Sequence, residues 1–313
     1  MNTKQLIVAL LTIGSIEHLA VAQIEVPDAP QWQVTLHITD DEGSPVSNAN
    51  VTAGYYIKPP SGSDEAESHK SGTTDADGLV MLSAHSGPAI WCGANKVGYY
   101  STTSMEYDFA NKAGDQWLPW NPGIEITLDR IVDPIPMYAK SVEKGPPVFN
   151  QPVGYDLMLG DWVAPNGRGQ TTDIIFTAEY HKKSLQDYDY KLIVSFPNAG
   201  DGIQEFKAGG GGLRSPYEAV ENGYEPQLTR LNISHPGQPL VFDYDKSRNY
   251  FFRVRTLLDA NGNVKSALYG KIYGDFMHFT YYLNPTPNSR NVEFDPKQNL
   301  LIFKSGEPQI GTP

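Results

Sequence analysis

Six histidines follow the first 22 residues, His37, His69, His85, His181, His235 and His278. No two stand at the spacing that sets ligands on one helix face, so no zinc-protease motif is present. Oxygen ligands make a better metal pattern. Asp75 and Asp77 flank a turn ended by Gly78, and Asp259, Asn261 and Asn263 alternate in a second short loop. Hard cations take such oxygens, and for calcium Asp75, Asp77, Asp259 and Asn261 are the candidate ligands. Neither run completes a twelve-residue calcium loop: counted from Asp259, Gly262 falls two places early and the twelfth residue is Gly270. Asp, Asn and Gly are also what tight turns need, so two plain turns are the simpler reading. No other cofactor is expected.

Nucleophilic chemistry is no better served. There is no Gly-x-Ser-x-Gly elbow. The Ser-x-x-Lys spacing of Ser141 to Lys144 falls in a proline-rich stretch, where nothing would desolvate the lysine. Gly209 to Gly212 lacks the Lys-Ser/Thr ending of a phosphate loop and reads as a flexible hairpin loop. Cys92 is the only cysteine, which excludes an intramolecular disulfide; beside Trp91 it reads as a buried thiol. No residue is assigned a catalytic role, and the chain is expected not to be an enzyme. The alternative is a hydrolase of extracellular polymer using Asp156, Asp161 and Asp173.

Aromatic residues give the binding hint. Asp115-Gln116-Trp117-Leu118-Pro119-Trp120 places two indoles among polar side chains in a predicted loop. Indole faces stack on sugars while Asp and Gln bond hydroxyls, so Asp115, Gln116, Trp117 and Trp120 are the candidate ligand-binding residues. The competing account has both rings closing the end of a sandwich or burying an interface.

The elements that would carry these residues are strands. From Gln31 to Leu128, short alternating runs are separated by turns. Val34, Leu36 and Ile38 share one face; Asp41-Glu42-Gly43 turns the chain; Val46, Ala49, Val51, Ala53 and Tyr55 continue inward. After Asp75 to Gly78 comes an apolar strand, Leu79 to Leu82, with further strands at Ala89 to Cys92, around Gly98-Tyr99-Tyr100, and at Ile124, Ile126 and Leu128. The succession VTLHITDDEGSPVSNANV, TTDADGLVML and VGYY resembles the carboxypeptidase regulatory-like family over about a third of the chain. The resemblance implies a seven-stranded, transthyretin-like or Ig-like Greek-key sandwich, an accessory domain without a common ligand. Lys58 to Gly72, with acids at Asp64, Glu65 and Glu67, departs from that pattern and reads as a mobile surface loop.

Asp133 to Pro152 holds five prolines and reads as a stiff extended connector. Beyond it, strands are expected at Asp173 to Tyr180, Tyr188 to Phe196, Leu240 to Tyr244 and His278 to Leu283. Tyr250 to Leu258 and Val264 to Tyr273 should form an antiparallel hairpin through Asp259 to Asn263. This half is similar to C-terminal β domains of exported bacterial proteins of unassigned function. The fold class is therefore all-β with two β-sandwich domains: signal peptide 1–22, first sandwich 23–132, connector 133–152 and second sandwich 153–313.

Lys4, the apolar run Leu6 to Ile13 and Ala20-Val21-Ala22 fit a signal peptide cleaved after Ala22, which predicts export to the periplasm or beyond. With 36 acidic against 24 basic side chains, the chain would be repelled by nucleic acid and anionic membranes. No membrane insertion is expected, and a glycan or a cell-surface protein is the expected partner. The function that follows is a non-catalytic exported binding protein, with glycan recognition as its sharpest form. A structural envelope component pairing through a sheet edge is the remaining alternative.

Overall fold

The computed structural model describes residues 29–57, 66–303, 309–311 and 313. The signal peptide, its cleavage site, and the Asp64 and Glu65 part of the polar insertion lie outside the described residues. Every regular element described is a strand. Among these residues no helix is long and apolar enough to cross a membrane.

The first unit contains β1 (Gln31–Asp40), β2 (Asn50–Ile57), β3 (Ala66–Thr73), β4 (Leu79–His85), β5 (Ala89–Asn95), β6 (Thr102–Asp108), β7 (Asn111–Ala113), β8 (Gln116–Leu118) and β9 (Gly123–Leu128). One sheet is centred on β1, antiparallel to β4 on one side and parallel to β9 and β8 on the other, with β7 beyond β8. The second sheet runs β3-β2-β5-β6. Strict alternation on β1 turns Trp32, Val34, Leu36 and Ile38 inward against Val51, Ala53 and Tyr55 of β2. Full burial of each large apolar side chain stabilises by about 1.5–3 kcal/mol. Cys92 lies in this core, and burial pushes its thiol up to about 12, which leaves it inert. Gly78 adopts φ +76° under the Ile38 carbonyl, where a Cβ would collide.

Seven of these strands are longer; β7 and β8 add a short hairpin. Three expectations change here. The insertion Lys58 to Gly72 is not a loop throughout, because its second half is β3, paired with β2 from Asn50↔Thr73 to Ile57↔Ala66. Gly98 to Tyr100 is a turn with a single bridge, Tyr99 to Arg130, and the strand begins at Thr102. Gln116 to Leu118 is strand β8, not loop.

The second unit contains β10 (Ile135–Val142), β11 (Pro152–Asp156), β12 (Asp161–Trp162), β13 (Ile174–Ser184), β14 (Asp187–Ser195), β15 (Gly202–Phe206), β16 (Gln227–Ser234), β17 (Val241–Phe242), β18 (Asn249–Leu258), β19 (Val264–Tyr273), β20 (Phe279–Leu283) and β21 (Phe294–Asn299). One sheet is ordered β15-β18-β19-β20-β10-β21 and the other β12-β11-β13-β14-β16-β17. Their facing sides enclose one core, which includes Phe176, Val194, Phe252, Ile272 and Tyr281. The outer side of the first sheet has its own apolar layer, with Phe251, Tyr273, Tyr282 and Phe294, covered by chain that includes Ala219 and Val292.

The expected connector is overturned. Ile135 to Val142 is an interior strand between β20 and β21, with Met137 and Ala139 buried on one face and Val142 on the other. Pro136 is tolerated because the register with β21 shifts between Ile135 and Met137. The β18–β19 hairpin has the expected pairing, its turn closed by Gly262 at φ +84°.

The two units meet around Glu293, which is buried and accepts hydrogen bonds from Tyr100 Oη (2.8 Å) and the amides of Val132 (2.9 Å) and Asp133 (2.6 Å). Asp129 accepts the Leu213 amide at 2.9 Å, and Tyr217 donates to the Arg130 carbonyl at 2.8 Å. Gly211 and Gly212 lie where a Cβ would strike Asp129 and Tyr100. The glycine run is therefore a close approach between the units, not a hairpin loop.

Candidate functional site

Along β13, Ile174, Phe176 and Ala178 face the core, and the same parity continues to Tyr180, which is half-buried, and Lys182, which is exposed. Cross-strand pairs put Tyr190 beside Tyr180 and Tyr188 beside Lys182; on β16, Asn232 and Ser234 follow the same face. Burial falls off along this face, from fully buried Ala178 and Leu192 to half-buried Tyr180 and Tyr190. The aromatic end of a core face is thus open to solvent.

Phe149 completes an aromatic cluster there. Its ring centroid is 5.2 Å from Tyr180 and 6.5 Å from Tyr190, and those two are 6.0 Å apart. Asn150, at φ +61°, fixes the segment by donating its amide to the Ala178 carbonyl (2.8 Å) and accepting the Tyr180 amide on Oδ1 (2.9 Å). Phe149 is 50% exposed, so a large ring stands in water beside two half-buried tyrosines. Tyr188 donates to Asn232 Oδ1 at 2.9 Å, and burial raises the Tyr190 hydroxyl above its ordinary pKa, keeping it a neutral donor.

A narrow pocket next to the cluster is lined by Tyr190, Arg230, Asn232, Tyr244 and Met277. Arg230 is anchored by Nε to both oxygens of Asp275, at 3.1 Å each, and bonds Tyr250 Oη. Asp275 is fully buried and also receives Arg248 Nη1 at 3.1 Å. Ring faces, an amide and fixed donors around an open face suit a neutral polyhydroxylated ligand. No nucleophile and base face one another in this array. Sequence reading missed these tyrosines; the continuation of core parity past Ala178 was the signal that could have found them.

The sequence-derived candidates are placed elsewhere. Trp117 donates its indole N–H to the Ser86 carbonyl at 2.8 Å and packs against the first core. Trp120 is half-buried, Gln116 pairs with Gln31 in β8, and Asp115 is exposed. Among the described residues the two indoles form no ring pair with each other. Asp75 Oδ1 accepts the amides of Asp77 (3.0 Å) and Leu79 (2.9 Å). Asp259 Oδ1 accepts those of Asn261 (2.8 Å) and Asn263 (2.9 Å), and the two turns belong to different units. Among the described residues no group of three or more His, Cys, Asp or Glu could hold a metal ion.

Asp156 and Asp173 do converge, but as scaffold. Asp156 accepts the amides of Met158, Leu159, Gln170 and Thr171. Asp173, raised above its ordinary pKa by burial, is clamped by Arg255 at 2.7 and 3.0 Å. Asp161 accepts the amides of Trp162 and Arg168. Ser141 Oγ shares a hydrogen bond with Thr280 Oγ1 at 2.7 Å.

No family model matches the chain, and no curated protein matches it. The carboxypeptidase regulatory-like resemblance therefore rests on the residues quoted for it. Among solved structures, the shaft pilin SpaA from Lactobacillus rhamnosus GG, as its D295N mutant, aligns over 79% of this chain and 94% of its own at 12% identity and a TM-score of 0.24. A leucine-rich repeat protein from Bacteroides thetaiotaomicron VPI-5482 aligns over 54% of this chain and 23% of its own, at 12% identity and a TM-score of 0.15.

Proposed function

We propose that this chain is a non-catalytic, exported binding protein whose ligand is a glycan held on the Phe149, Tyr180 and Tyr190 face of the second sandwich. The observation that carries the reading is that cluster: three rings within 6.5 Å, one of them half exposed, beside Asn232 and the Tyr188 hydroxyl. Sugar C–H faces would stack on the rings, and ring hydroxyls would exchange hydrogen bonds with the amide and phenols. Export rests on the signal-peptide pattern alone. The test is a glycan array probed with the mature chain, followed by titration of the best binder against the Tyr180→Ala/Tyr190→Ala double variant. Loss of binding in the double variant and its retention in Trp117→Ala supports the site; equal binding by all three sinks it.

A second reading has one observation in its favour. The edge strand β17 covers only Asn232 and Ile233 of β16, and its own Val241 and Phe242, with Leu240 just before them, are exposed. An uncovered edge with apolar neighbours can pair with another chain, as a structural envelope component would. Sedimentation across a hundredfold concentration range, on the order of µM, separates the two: growth in mass favours pairing, and a constant monomer removes it.

A further inference from the structure

Lys271 lies on β19 beneath the chain that covers the outer sheet face. Its Nζ is fully buried, 5.0 Å from the ring centroids of both Tyr273 and Tyr282 and 3.1 Å from Ser215 Oγ. Among the described residues no acid forms an ion pair with it. Burial, with Glu293 opposing and Arg214 reinforcing, brings the ammonium down to about 7, so free amine is present at neutral pH. The bond as it stands runs from Lys271 Nζ to Ser215 Oγ; once the amine is neutral, its lone pair at the same distance can take the serine proton, the role of a general base.

The peptide bond preceding Ser215 is unusual in its own right. Arg214 has φ +63°, and the Ser215 amide donates across it to the Leu213 carbonyl at 2.8 Å, the strained form of γ-turn. The Arg214 carbonyl receives the Gly209 amide at 2.8 Å. Leu213 is pinned on both sides, by Asp129 to its amide and by Tyr273 Oη to its carbonyl at 2.5 Å. A hydroxyl, a base on that hydroxyl, a strained peptide beside it and a donor on the carbonyl thus meet at one bond. Ser215 is only 8% exposed and Lys271 is inaccessible, which defeats an external polymer as substrate but does not hinder an intramolecular reaction.

We propose that Arg214–Ser215 is a self-processing bond, cleaved by an acyl shift onto Ser215 with Lys271 as the base. Ser215 Oγ adds to the Arg214 carbonyl carbon as its proton passes to Lys271 Nζ, and the Gly209 N–H stabilises the oxyanion. Collapse breaks the C–N bond, and Lys271 returns the proton to the departing Ser215 nitrogen. The product is an ester from the Arg214 acyl group to Ser215 Oγ, with a free α-amino group on Ser215. Water then adds to the ester, leaving a carboxylate at Arg214 and a new amino terminus at Ser215. The two pieces stay joined through the β14–β16 and β15–β18 ladders, so cleavage does not dissociate the domain.

Denaturing intact-mass spectrometry of the purified chain, incubated at pH 6, 7.5 and 9 with and without hydroxylamine, tests this. Expected are fragments ending at Arg214 and beginning at Ser215, forming faster as pH rises through 7, with a hydroxamate at Arg214 when hydroxylamine intercepts the ester. Ser215→Ala should abolish them, Ser215→Cys should keep them, and Lys271→Met should slow them by about a hundredfold, the usual scale of a lost general base. Circular dichroism on each variant establishes that it is folded. Full-length mass alone under every condition, or fragments that persist in folded Ser215→Ala, would overturn the proposal.

Discussion

The two sandwiches solve burial differently. The first fills its core with aliphatic groups, small residues, the rings of Trp32, Tyr55 and Phe109 and one inert thiol, and among the described residues its only nearly buried charge is Asp40, turned to the Glu42 and Ser44 amides. The second buries Lys271, Asp275, Glu293, Asp156, Asp173 and Arg253 and lets several tyrosines carry hydroxyls inside. Buried charge costs stability unless every lone pair and proton is satisfied. A domain that tolerates so much of it is where chemistry and recognition are to be sought, and the first docks against it through Glu293.

Breaking the dock should have the largest effect. Glu293→Ala strands the Tyr100 hydroxyl and two backbone amides, and about 3–5 kcal/mol of unfolding free energy should disappear in denaturant titration. The single transition should also split into two if the units lose their coupling. Next, Trp117→Ala should cost the first unit about 2 kcal/mol, less than a fully buried Trp because the ring is only half-buried, while leaving glycan binding intact.

The charge contrast also predicts a pH dependence. Lys271 is held to about 7 in the folded chain and returns to its ordinary value on unfolding. Between those values the unfolded chain binds more protons, so stability should rise as pH increases from 7 toward 10. The slope from this one group is at most about 1.4 kcal/mol per pH unit. Lys271→Met should flatten that slope relative to the parent; an identical slope in parent and variant contradicts the assignment.

Much of the first unit was legible because one face of each strand is wet. The alternation from Trp32 to Ile38 and the Gly78 turn are read straight from residue type and spacing. The second unit hid more. β10 is buried on both faces and starts among prolines, so it lacks the period-two pattern and mimics a linker. β16 reads as polar because its side chains are all half-buried or exposed. The tryptophans drew the eye because indoles are rare, yet Trp117 answers to Ser86 and the core. The tyrosine face joins Phe149, Tyr180 and Tyr190 across register, and along the chain only the core parity continuing past Ala178 to Tyr180 hints at it. Ser215 and Lys271, 56 residues apart, meet only through the fold.

The comparison between the tryptophan segment and the tyrosine face is decided by titrating the best array glycan into the parent, the Tyr180→Ala/Tyr190→Ala variant and Trp117→Ala by isothermal calorimetry. The account predicts about tenfold or greater weakening in the tyrosine variant, from roughly 1 kcal/mol per lost ring, with the tryptophan variant unchanged. Full affinity in the tyrosine variant with loss in Trp117→Ala would contradict it.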